Sequence, residues 1–365
     1  MHRSSHTFRA KVPAPYTMPA EWEEHAATWI AWPHNEKDWP GKFGPVPWVF
    51  AEIVRILAPG ERVHILVEPS RDHRARSEAA EILEKADVNL SHVSFHEVPT
   101  NRVWLRDSGG IFVRQPDGTL AINDFTFNAW AKYPDYALDD AIPAAMADFL
   151  HLTRVQATAQ KAPKAGRRFV LEGGSIDVNG KGTLLTTEEC LLSEIQQRNP
   201  GLSRDQIEQT LSTFLGVKKI LWLKSGIAGD DTHGHIDDTA RFVNDHTIVA
   251  CIEPDRRDEN HARLRDNWKR LARMSNAGGK RITAVELPMP DPIYFDGTRL
   301  PASYANFYVA NAAVLVPVFN DRNDARALNI LEQCFKGRPI IPVYCRDLVW
   351  GLGTIHCLTQ QQPAP

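Results

Sequence analysis

Cys357 lies eight residues before the end of the chain, at the close of the stretch Gly-Leu-Gly-Thr-Ile-His-Cys. The other polar residues that could do chemistry are far upstream, in Trp-Leu-Arg-Asp at 104–107, Glu-Gly-Gly at 172–174 and Gly-Asp-Asp-Thr-His-Gly-His-Ile-Asp-Asp at 229–238. One thiol, a histidine and several acids spread over about 250 residues are typical of thiol-dependent hydrolases, whose nucleophile and base meet only in the fold. The sequence therefore predicts hydrolytic chemistry at Cys357.

The segment from His233 to Asp238 supports three interpretations. In a strand, alternation would point the side chains of His233, His235 and Asp237 to one face. Two histidines and an aspartate would suit Zn²⁺ or another borderline metal. Alternatively, a histidine is a general base beside a carboxylate that holds a cationic substrate, or the segment is only a polar turn that enters a strand. The residues alone leave all three open.

Two further acids stand next to glycines. Asp107 precedes Ser-Gly-Gly, where a strand is expected to meet a tight turn, and it could simply cap that turn. Glu172 follows Phe-Val-Leu and precedes Gly-Gly, which predicts a partly buried position at a strand end. A carboxylate there needs a partner, either a structural arginine or a bound cation.

The cysteines are expected to differ in reactivity. A free cysteine is usually a buried and inert side chain, and we expect this of the four outside the tail, which are Cys190, Cys251, Cys334 and Cys345. Cys357 differs because Gly351 and Gly353 remove side chains just ahead of it, so that a substrate can approach closely. On a strand, the neighbouring His356 would point to the opposite face, which argues against it as the base.

Together these residues suit a guanidinium ligand. Its planar fork matches carboxylates bidentately, and it stays protonated at neutral pH. Each charge-assisted hydrogen bond contributes on the order of 1.5–3 kcal/mol, so two or three carboxylates hold such a cation firmly. Its resonance-stabilised carbon requires a strong nucleophile, and the bound cation would lower the pKa of a nearby thiol.

Bulk properties exclude several other classes of protein. The 42 Lys plus Arg against 45 Asp plus Glu leave a formal charge of -3, which argues against a broad basic face for nucleic acid. No stretch approaches the ~18 apolar residues that span a membrane, and residues 1–9 lack the apolar core of a secretory signal. The five widely spaced cysteines, without CxxC pairs, favour a reducing compartment. We therefore expect a cytoplasmic protein, with a homo-oligomer compatible with the sequence.

The elements that must position these residues follow an α/β rhythm. We expect one domain over 1–365, because the Pro/Gly-rich segments 40–47, 161–168 and 288–301 are short enough to be loops. Apolar runs predict strands at 28–32, 62–67, 93–98, 110–113, 169–178, 183–186, 219–223, 239–243, 247–252, 282–287, 306–318 and 339–343. Helical spacing predicts helices at 48–57, 70–86, 139–150, 188–198, 203–215, 260–275 and 321–335. Ser203, with Gln206 three residues later, predicts a capping box at the start of the 203–215 helix.

An ordered set of motifs resembles the agmatine deiminases of the guanidino-group-modifying, or pentein, superfamily. The set comprises Met-Pro-Ala-Glu-Trp-Glu-Glu-His (18–25), Trp-Ile-Ala-Trp-Pro (29–33), the segments at 104–107, 172–174 and 229–238, Asn-Phe-Tyr-Val-Ala-Asn (306–311) and Ile-His-Cys-Leu-Thr-Gln-Gln-Gln-Pro (355–363). The resemblance covers nearly the whole chain. It implies a five-bladed α/β propeller of ββαβ units around a central, negatively lined pocket. It also implies hydrolysis of agmatine to N-carbamoylputrescine and ammonia, without metal or organic cofactor.

Carried over by matched position, the resemblance assigns roles to individual residues. Cys357 would attack the guanidinium carbon, and His235 would protonate the departing ammonia and then activate the water that cleaves the S-alkylthiouronium intermediate. The guanidinium would be gripped by Asp107 and Asp237, with Glu172 orienting the same group. Further expectations are Trp104 lining the substrate tunnel, Asp231 or Asp230 meeting the distal ammonium, and structural roles for His233 and Asp238.

The chain departs from the family pattern just before the nucleophile. Many members have a run of glycines there, whereas this chain has Leu352 and Thr354, which could reshape the pocket wall and change the preferred guanidine. Three alternatives remain: a bacterial peptidylarginine deiminase, a metal-dependent hydrolase that uses His233, His235 and Asp237, and a catalytically silent binder of guanidino compounds.

Overall fold

The computed structural model describes residues 16–160 and 165–365, in which β-sheets and helices alternate along the chain. Residues 161–164 of the predicted loop at 161–168 lie outside the described residues. The first unit comprises β1 (His25–Ala31), α1 (Val46–Leu57), β2 (Arg62–Val67), α2 (Arg74–Lys85) and β3 (Val93–Glu97). The second comprises α3 (Leu105–Ser108), β4 (Ile111–Arg114), β5 (Leu120–Asp124), α4 (Ile142–Leu150) and β6 (Thr153–Gln156).

The rest of the described chain continues this pattern. The third unit comprises β7 (Asp177–Val178), β8 (Thr183–Thr187), α5 (Glu188–Leu191), α6 (Arg204–Leu215) and β9 (Lys219–Leu223). The fourth comprises β10 (Ala240–Phe242), β11 (Thr247–Ile252), α7 (Glu259–Leu271) and β12 (Thr283–Pro288), and a hairpin of β13 (Tyr294–Phe295) and β14 (Thr298–Arg299) follows. The fifth comprises β15 (Tyr308–Val309), β16 (Val314–Val318), α8 (Asp324–Cys334) and β17 (Ile340–Tyr344), and the tail comprises α9 (Ile355–Leu358) and β18 (Gln360–Pro363). Short 3-10 turns lie at Glu36–Asp38, Leu90–His92, Ala129–Ala131, Asp139–Ala141, Gly173–Ser175 and Leu348–Gly351.

The same ββαβ connection recurs in five sheets of the described chain. In each sheet two strands pair antiparallel, and the second of them then pairs parallel with a third strand across a helix. The first sheet is completed from the other end of the chain, because β18 pairs antiparallel with β1, and it gains β3 as an extra parallel strand. The predicted α/β fold of ββαβ units is therefore confirmed. The arrangement of the five sheets around a central pocket stays a prediction.

The tail is anchored at both ends, and this anchoring positions Cys357. Trp29 of β1 pairs with Gln360 of β18, and the indole N–H of Trp29 donates to Gln362 Oε1 at 2.9 Å. On the other side, Asn306 binds the backbone of the α9 turn. One apolar cluster runs from Trp29 to Leu358, so both chain ends contribute to the same core.

Local patterns predicted many of these elements correctly. The expected strands at 62–67, 219–223 and 247–252 coincide with β2, β9 and β11. The capping box at Ser203 and Gln206 is present at the start of α6, which ends at Gly216 in the left-handed conformation. Within the described residues, no helix is both long and apolar enough to cross a membrane.

Other predictions of secondary structure were wrong. The helix expected at 188–198 ends at Leu191, and the strand expected at 169–178 is a 3-10 turn followed by the two residues of β7. The strand expected at 306–318 is two strands, β15 and β16, separated by a turn. Each of these segments carries residues of the site described next, where long-range contacts decide the backbone conformation.

Candidate active site

A cavity of about 390 Å³ opens above Cys357. Aromatic side chains and the cations of Lys37 and Arg102 contribute to its walls, and its acidic lining residues are Asp38, Asp107, Asp231 and Asp296. Trp104, the predicted tunnel residue, lines it directly. Such a cavity would enclose a slender apolar chain while carboxylates face its charged ends.

Cys357 lies in the short helix α9, and the expected strand at this position is wrong. The side chain is 7% exposed and faces the cavity floor. Asn306 Nδ2 donates to its sulfur at 3.1 Å, and Asp237 Oδ2 is 3.7 Å from the sulfur. Gly353 allows Trp104 to pack closely beside Cys357, because a Cβ at this position would lie 2.7 Å from the Trp104 ring and 3.1 Å from Cys357 Cβ. The predicted nucleophile is thus fixed in position beside a carboxylate.

His235 lies among three buried carboxylates. Its Nδ1 is 3.8 Å from Asp107 Oδ1 and 3.9 Å from Asp237 Oδ1, and its Nε2 is 3.8 Å from Glu172 Oε2. The segment is a polar turn that leads into β10, as one of the sequence alternatives has it, and Asp230 holds it by accepting the backbone N–H groups of Gly234 and His235. The turn brings His235 and Asp237 together.

His233 is excluded from this group by the same turn. Its backbone is left-handed, with φ of 63°, and its Nε2 is 3.2 Å from Ser193 Oγ. Within the described residues, the metal-type donors whose ligand atoms all lie within 4.8 Å of one another are those of Glu172, Cys190 and His235. The metal site of His233, His235 and Asp237, one of the sequence alternatives, is therefore wrong.

Neighbouring groups donate hydrogen bonds to the carboxylates of the site, but some carboxylate oxygens have no hydrogen-bond partner within the described residues. Asp107, in helix α3 and not at the expected strand end, accepts from Trp130 Nε1 at 2.8 Å and Gly174 N at 3.0 Å. Glu172 precedes the 3-10 turn at Gly173–Ser175, and its Oε1 accepts from Arg198 Nε at 3.0 Å. Within the described chain, Glu172 Oε2, Asp237 Oδ1 and His235 Nε2 are buried without a hydrogen-bond partner. Buried unpaired polar atoms are costly, which indicates a site shaped for a ligand.

Gly174 keeps the space between these groups empty. A Cβ at this position would lie 2.6 Å from His235 Nδ1, 2.7 Å from Asp107 Oδ1 and 3.0 Å from Asp237 Oδ2. These distances are too short for a side chain, so the position requires glycine. The Gly-Gly pair after Glu172 therefore serves the site directly.

Burial and charge shift the pKa values of the reactive groups in opposite directions. Burial, reinforced by Asp237, Asp238 and Asp107, raises the pKa of the Cys357 thiol well above its usual value. Burial alone would lower the pKa of His235, but neighbours led by Asp107 outweigh it and raise that pKa well above its usual value. These shifts favour the neutral form of the thiol and the cationic form of the imidazole.

The pKa values of the acidic residues shift in different directions, according to the groups around them. Burial raises the pKa of Asp107 to about 6 against the opposing effect of His235. Burial also acts to raise the pKa of Glu172, but Arg198 and His235 outweigh it and lower that pKa to about 2. Asp238 does not pair with His235 in this way: it accepts from Asn306 Nδ2 at 3.0 Å, and burial together with Asp237 raises its pKa well above the usual value.

Asp231 and Asp230, the two predicted partners of the distal ammonium, have different surroundings. Asp231 lines the cavity, but its carboxylate forms an ion pair with Lys132 and accepts from the Tyr133 hydroxyl at 2.8 Å. Asp230 uses both carboxylate oxygens on the backbone of the His235 turn. Asp38 lines the same cavity, and its buried Oδ2 has no hydrogen-bond partner within the described residues.

The two departures from the family pattern have different positions. Leu352 has a left-handed backbone, with φ of 70°, and lines the cavity wall. Thr354 is buried and donates its hydroxyl to Asn306 Oδ1 at 2.7 Å. Only the first of these two is placed to contact a substrate, whereas the second orients Asn306 beneath the nucleophile.

The chain matches the model of a known protein family. The model of the Porphyromonas-type peptidyl-arginine deiminases matches residues 17–363. The chain belongs to this family. The agmatine deiminase of Stutzerimonas stutzeri (strain A1501) is 34% identical over 373 residues, which cover 96% of this chain and 96% of that relative.

Solved structures of the family show the same fold. An agmatine deiminase of Enterococcus faecalis, described as catalysing its reaction, has a TM-score of 0.84 at 30% identity, over 96% of both chains. A C. jejuni agmatine deiminase, a Cys-to-Ser variant with substrate bound, has a TM-score of 0.81 at 33% identity and covers 95% of this chain and 96% of that one. The match spans all five sheets, so the pentein fold of the family is the fold of this chain.

Several residues of the site were missed in the sequence. His356, set aside because a strand would turn it away, has Nδ1 2.8 Å from Asp237 Oδ2 and Nε2 2.8 Å from Glu21 Oε2. Glu21 lies in the quoted 18–25 motif and Asn306 in the quoted 306–311 motif, so motif membership was the available signal. Arg198 gave no such signal, because it was assigned to the face of a helix that does not form.

Proposed function

We propose that this chain hydrolyses the guanidinium group of agmatine to N-carbamoylputrescine and ammonia. The observation that carries the proposal is the meeting of a buried thiol, a histidine and partly unpaired carboxylates at one site, where Cys357 and Asp107 line the cavity. The relatives named agmatine deiminases support agmatine as the substrate. Water is the co-substrate, so the reaction as written uses neither a metal nor an organic cofactor.

Substrate binding would use the space beside Gly174. Asp107 and Asp237 would each accept N–H groups of the guanidinium, and Glu172 would offer its unpaired Oε2. Each charge-assisted hydrogen bond contributes on the order of 1.5–3 kcal/mol in such a setting. The incoming cation also offsets the three aspartates that raise the pKa of Cys357. Binding would therefore lower that pKa, so that the thiol proton leaves to solvent and the thiolate forms beside its target.

The first half-reaction transfers the amidine carbon to sulfur. The Cys357 thiolate adds to the guanidinium carbon, and the C–N π electrons move to nitrogen to give a neutral tetrahedral adduct. Cationic His235 then donates its proton to one nitrogen, and ammonia departs with the electron pair of the broken C–N bond. An S-alkylthiouronium cation and a neutral His235 remain, and the raised pKa of His235 explains why it begins as an acid.

The second half-reaction restores the enzyme. Neutral His235 removes a proton from water while the hydroxide oxygen bonds to the thiouronium carbon. Collapse of the second adduct breaks the C–S bond, expels the Cys357 thiolate and leaves a protonated urea group. Loss of one proton to solvent gives N-carbamoylputrescine, with His235 again cationic.

His356 would act as a positioning residue for Asp237. Its two ring nitrogens each lie 2.8 Å from a carboxylate oxygen, one of Asp237 and one of Glu21. Glu21 is itself paired with Arg241 at 2.9 Å and Arg106 at 3.4 Å. This buried chain would keep Asp237 ionised and oriented toward substrate and sulfur, because burial acts to raise its pKa and hydrogen bonding to His356 outweighs that effect.

The distal ammonium would meet Asp231 at the cavity wall. A substrate ammonium would have to share Asp231 with Lys132, whereas the unpaired Oδ2 of Asp38 is a second acceptor on the same wall. Turnover of agmatine and of an alkylguanidine without the amine, compared in Asp231→Asn and Asp38→Asn, distinguishes the two acids. The residue that binds the ammonium will lose preference for agmatine when neutralised.

A peptidylarginine substrate is the second candidate, because the matching family model carries that name. A single catalytic domain over 1–365, cytoplasmic residence and a homo-oligomer stay predictions. The domain assignment is supported by the apolar cluster that joins Trp29 to Leu358.

Ammonia release from agmatine, L-arginine and a peptidylarginine tests the proposal directly. Each substrate is assayed before and after iodoacetamide treatment at about pH 9, because the raised thiol pKa slows alkylation of the empty site at neutral pH. We expect release from agmatine that is lost on alkylation. Release from peptidylarginine alone would favour the second candidate. Absence of alkylation-sensitive release from all three would contradict both.

A further inference from the structure

His235 Nε2 lies close to two further donors, Glu172 Oε2 and the Cys190 sulfur, and the proposed reaction does not use the second of them. His235 Nε2 is 3.8 Å from Glu172 Oε2, and these two atoms and the Cys190 sulfur all lie within 4.8 Å of one another. The exposed fractions of the three residues are 0% for Glu172 and 1% each for Cys190 and His235. Neither Glu172 Oε2 nor His235 Nε2 has a hydrogen-bond partner within the described residues. Two buried atoms without hydrogen-bond partners thus lie close to a third donor, which is the arrangement of a ligand site.

Rigid contacts hold this donor set together. The backbone N–H of Cys190 donates to Thr187 Oγ1 at 3.0 Å, and that hydroxyl in turn donates to Gly234 O at 2.5 Å. The start of helix α5 is therefore tied to the turn that carries His235. Arg198 holds the other oxygen of Glu172 and leaves Oε2 facing inward. Cys190, predicted to be inert, is consequently fixed beside the reactive imidazole.

From this geometry we propose that Glu172, Cys190 and His235 form an inhibitory binding site for Zn²⁺ or a similarly thiophilic divalent cation. A thiolate, an imidazole and a carboxylate are the donors that tetrahedral Zn²⁺ accepts, with bond lengths of about 2.0–2.3 Å. Those bonds separate neighbouring donors by roughly 3.3–3.6 Å in a tetrahedron, so donors that now lie within 4.8 Å of one another must approach by at most about 1.5 Å. Water would occupy the fourth position. Hard cations such as Mg²⁺ disfavour a thiolate and are excluded by the same donor set.

Metal binding and the proposed reaction would exclude each other. An ion bound to Nε2 would replace the proton on that nitrogen, so His235 could not be the cationic acid that the proposed reaction requires, and the ion would take Glu172 Oε2 away from the guanidinium. This inhibition rests on the proposed function, whereas the binding itself does not. Two protons, from Cys190 and His235, must leave on binding, so affinity will rise with pH. The cation of Arg198 opposes the ion, and the ionised Glu172 and Asp237 favour it.

Co²⁺ is the spectroscopic probe for the site, because a thiolate bound to Co²⁺ gives a charge-transfer absorption in the near ultraviolet. The Cys357→Ser chain removes the nucleophilic thiol from consideration. We expect Co²⁺ to produce the absorption in that chain and Zn²⁺ to abolish it. The absorption should vanish in Cys357→Ser/Cys190→Ser and persist in Cys357→Ser/Cys345→Ser, which loses a different buried thiol.

Persistence of the band without Cys190, or its absence from the Cys357→Ser chain, would overturn the site. Circular dichroism of each double variant shows whether it is folded, and the single change Glu172→Gln gives a second test that keeps both thiols. Since this experiment requires no turnover, it stays decisive even if agmatine proves not to be the substrate.

Inhibition is measured separately in the otherwise unaltered enzyme. The Zn²⁺ concentration that halves ammonia release should rise at least about tenfold in Cys190→Ser, the loss expected when one of three ligands goes. Cys345→Ser should keep the sensitivity of the parent chain. Equal Zn²⁺ sensitivity in Cys190→Ser and the parent would place inhibition elsewhere and contradict the proposal.

Discussion

Two buried polar groups in this protein each contain a histidine and a glutamate, but their hydrogen bonding differs. The site floor, formed by Asp107, Glu172, His235, Asp237 and Cys357, leaves atoms of three of its members unpaired within the described residues. The Glu61 cluster, formed by His25, Thr28, Glu61, Tyr308 and Asn311, lies where β1 meets the β15–β16 turn. There, Glu61 accepts the Thr28 hydroxyl and Asn311 N, and its Oε1 is 3.2 Å from His25 Nδ1.

The difference shows how a ligand site can be separated from a structural network. In the Glu61 cluster the hydroxyl of Tyr308 is 2.7 Å from Thr28 Oγ1, and hydrogen bonds led by that of His25 outweigh burial and lower the pKa of Glu61. On the site floor, burial raises the pKa of Asp107 to about 6 even though both of its oxygens accept hydrogen bonds, while Glu172 Oε2 and Asp237 Oδ1 have no partner within the described residues. A buried carboxylate whose hydrogen bonds are complete stabilises the fold. A buried carboxylate with an unpaired oxygen is fully stabilised only when a cation binds to it.

The largest effect within this comparison is expected at His235. His235→Gln removes the proton donor and should lower the kcat for ammonia release by about 10²–10⁴-fold. His233→Gln is the matched control, because that ring contacts Ser193 outside the floor. Steady-state kinetics of both variants check this, and equal losses would show that the separation of the two histidines is mistaken.

Gly174→Ala should come next, with a loss of about 10²-fold in kcat/KM. The added Cβ would collide with His235 and Asp107, and misplacement of reacting groups by about 1 Å costs this much. Gly44→Ala is a suitable control, since a Cβ there meets nothing within 4 Å. Near-normal kcat/KM in Gly174→Ala would refute the assignment of the guanidinium to this space.

His356→Gln should reduce kcat by about tenfold to a hundredfold, because it removes a charge-assisted hydrogen bond that contributes about 1.5–3 kcal/mol. A positioning role predicts a loss in kcat with little change in KM and an altered pH profile, because Asp237 would lose the hydrogen bond that lowers its pKa. His25→Gln serves as the control from the Glu61 cluster. If it altered the pH profile equally, the distinction between the two groups would be lost.

The smallest effect on activity is expected at Glu61 itself. Glu61→Gln should destabilise the fold by about 1.5–3 kcal/mol, because it weakens several buried hydrogen bonds to a charged group. Its kcat/KM for agmatine should stay within about twofold of the parent at a temperature where the variant is folded. Thermal unfolding and ammonia release are measured together, and a specific loss of activity without destabilisation would contradict a purely structural role.

Local sequence patterns predicted the scaffold better than the site. Strand β11 and helix α6 follow from apolar alternation and a capping box, both of which are set by neighbours in sequence. The helix expected at 188–198 stops because Arg198 is instead bound to Glu172 and to the carbonyl of Thr232. A long-range ion pair of this kind leaves no periodic signal.

The roles at the nucleophile show the same limit. Cys357 and the acids could be singled out by type and by motif, but their mutual distances could not. His356 was set aside because a strand was assumed, whereas hydrogen bonds from its backbone and that of Cys357 to Asn306, 51 residues upstream of Cys357, hold a helical turn. Strand β18, rich in glutamine, was missed because its pairing with β1 and not its own composition makes it a strand.

Paired measurements on Cys357→Ser test the central claim most directly. The variant keeps the carboxylates and the space beside Gly174, so calorimetry should still detect agmatine binding, while ammonia release falls by on the order of 10⁴-fold or more. Cys334→Ser, which changes a thiol outside the site, should match the parent in both measurements. Turnover by Cys357→Ser within tenfold of the parent would contradict the account.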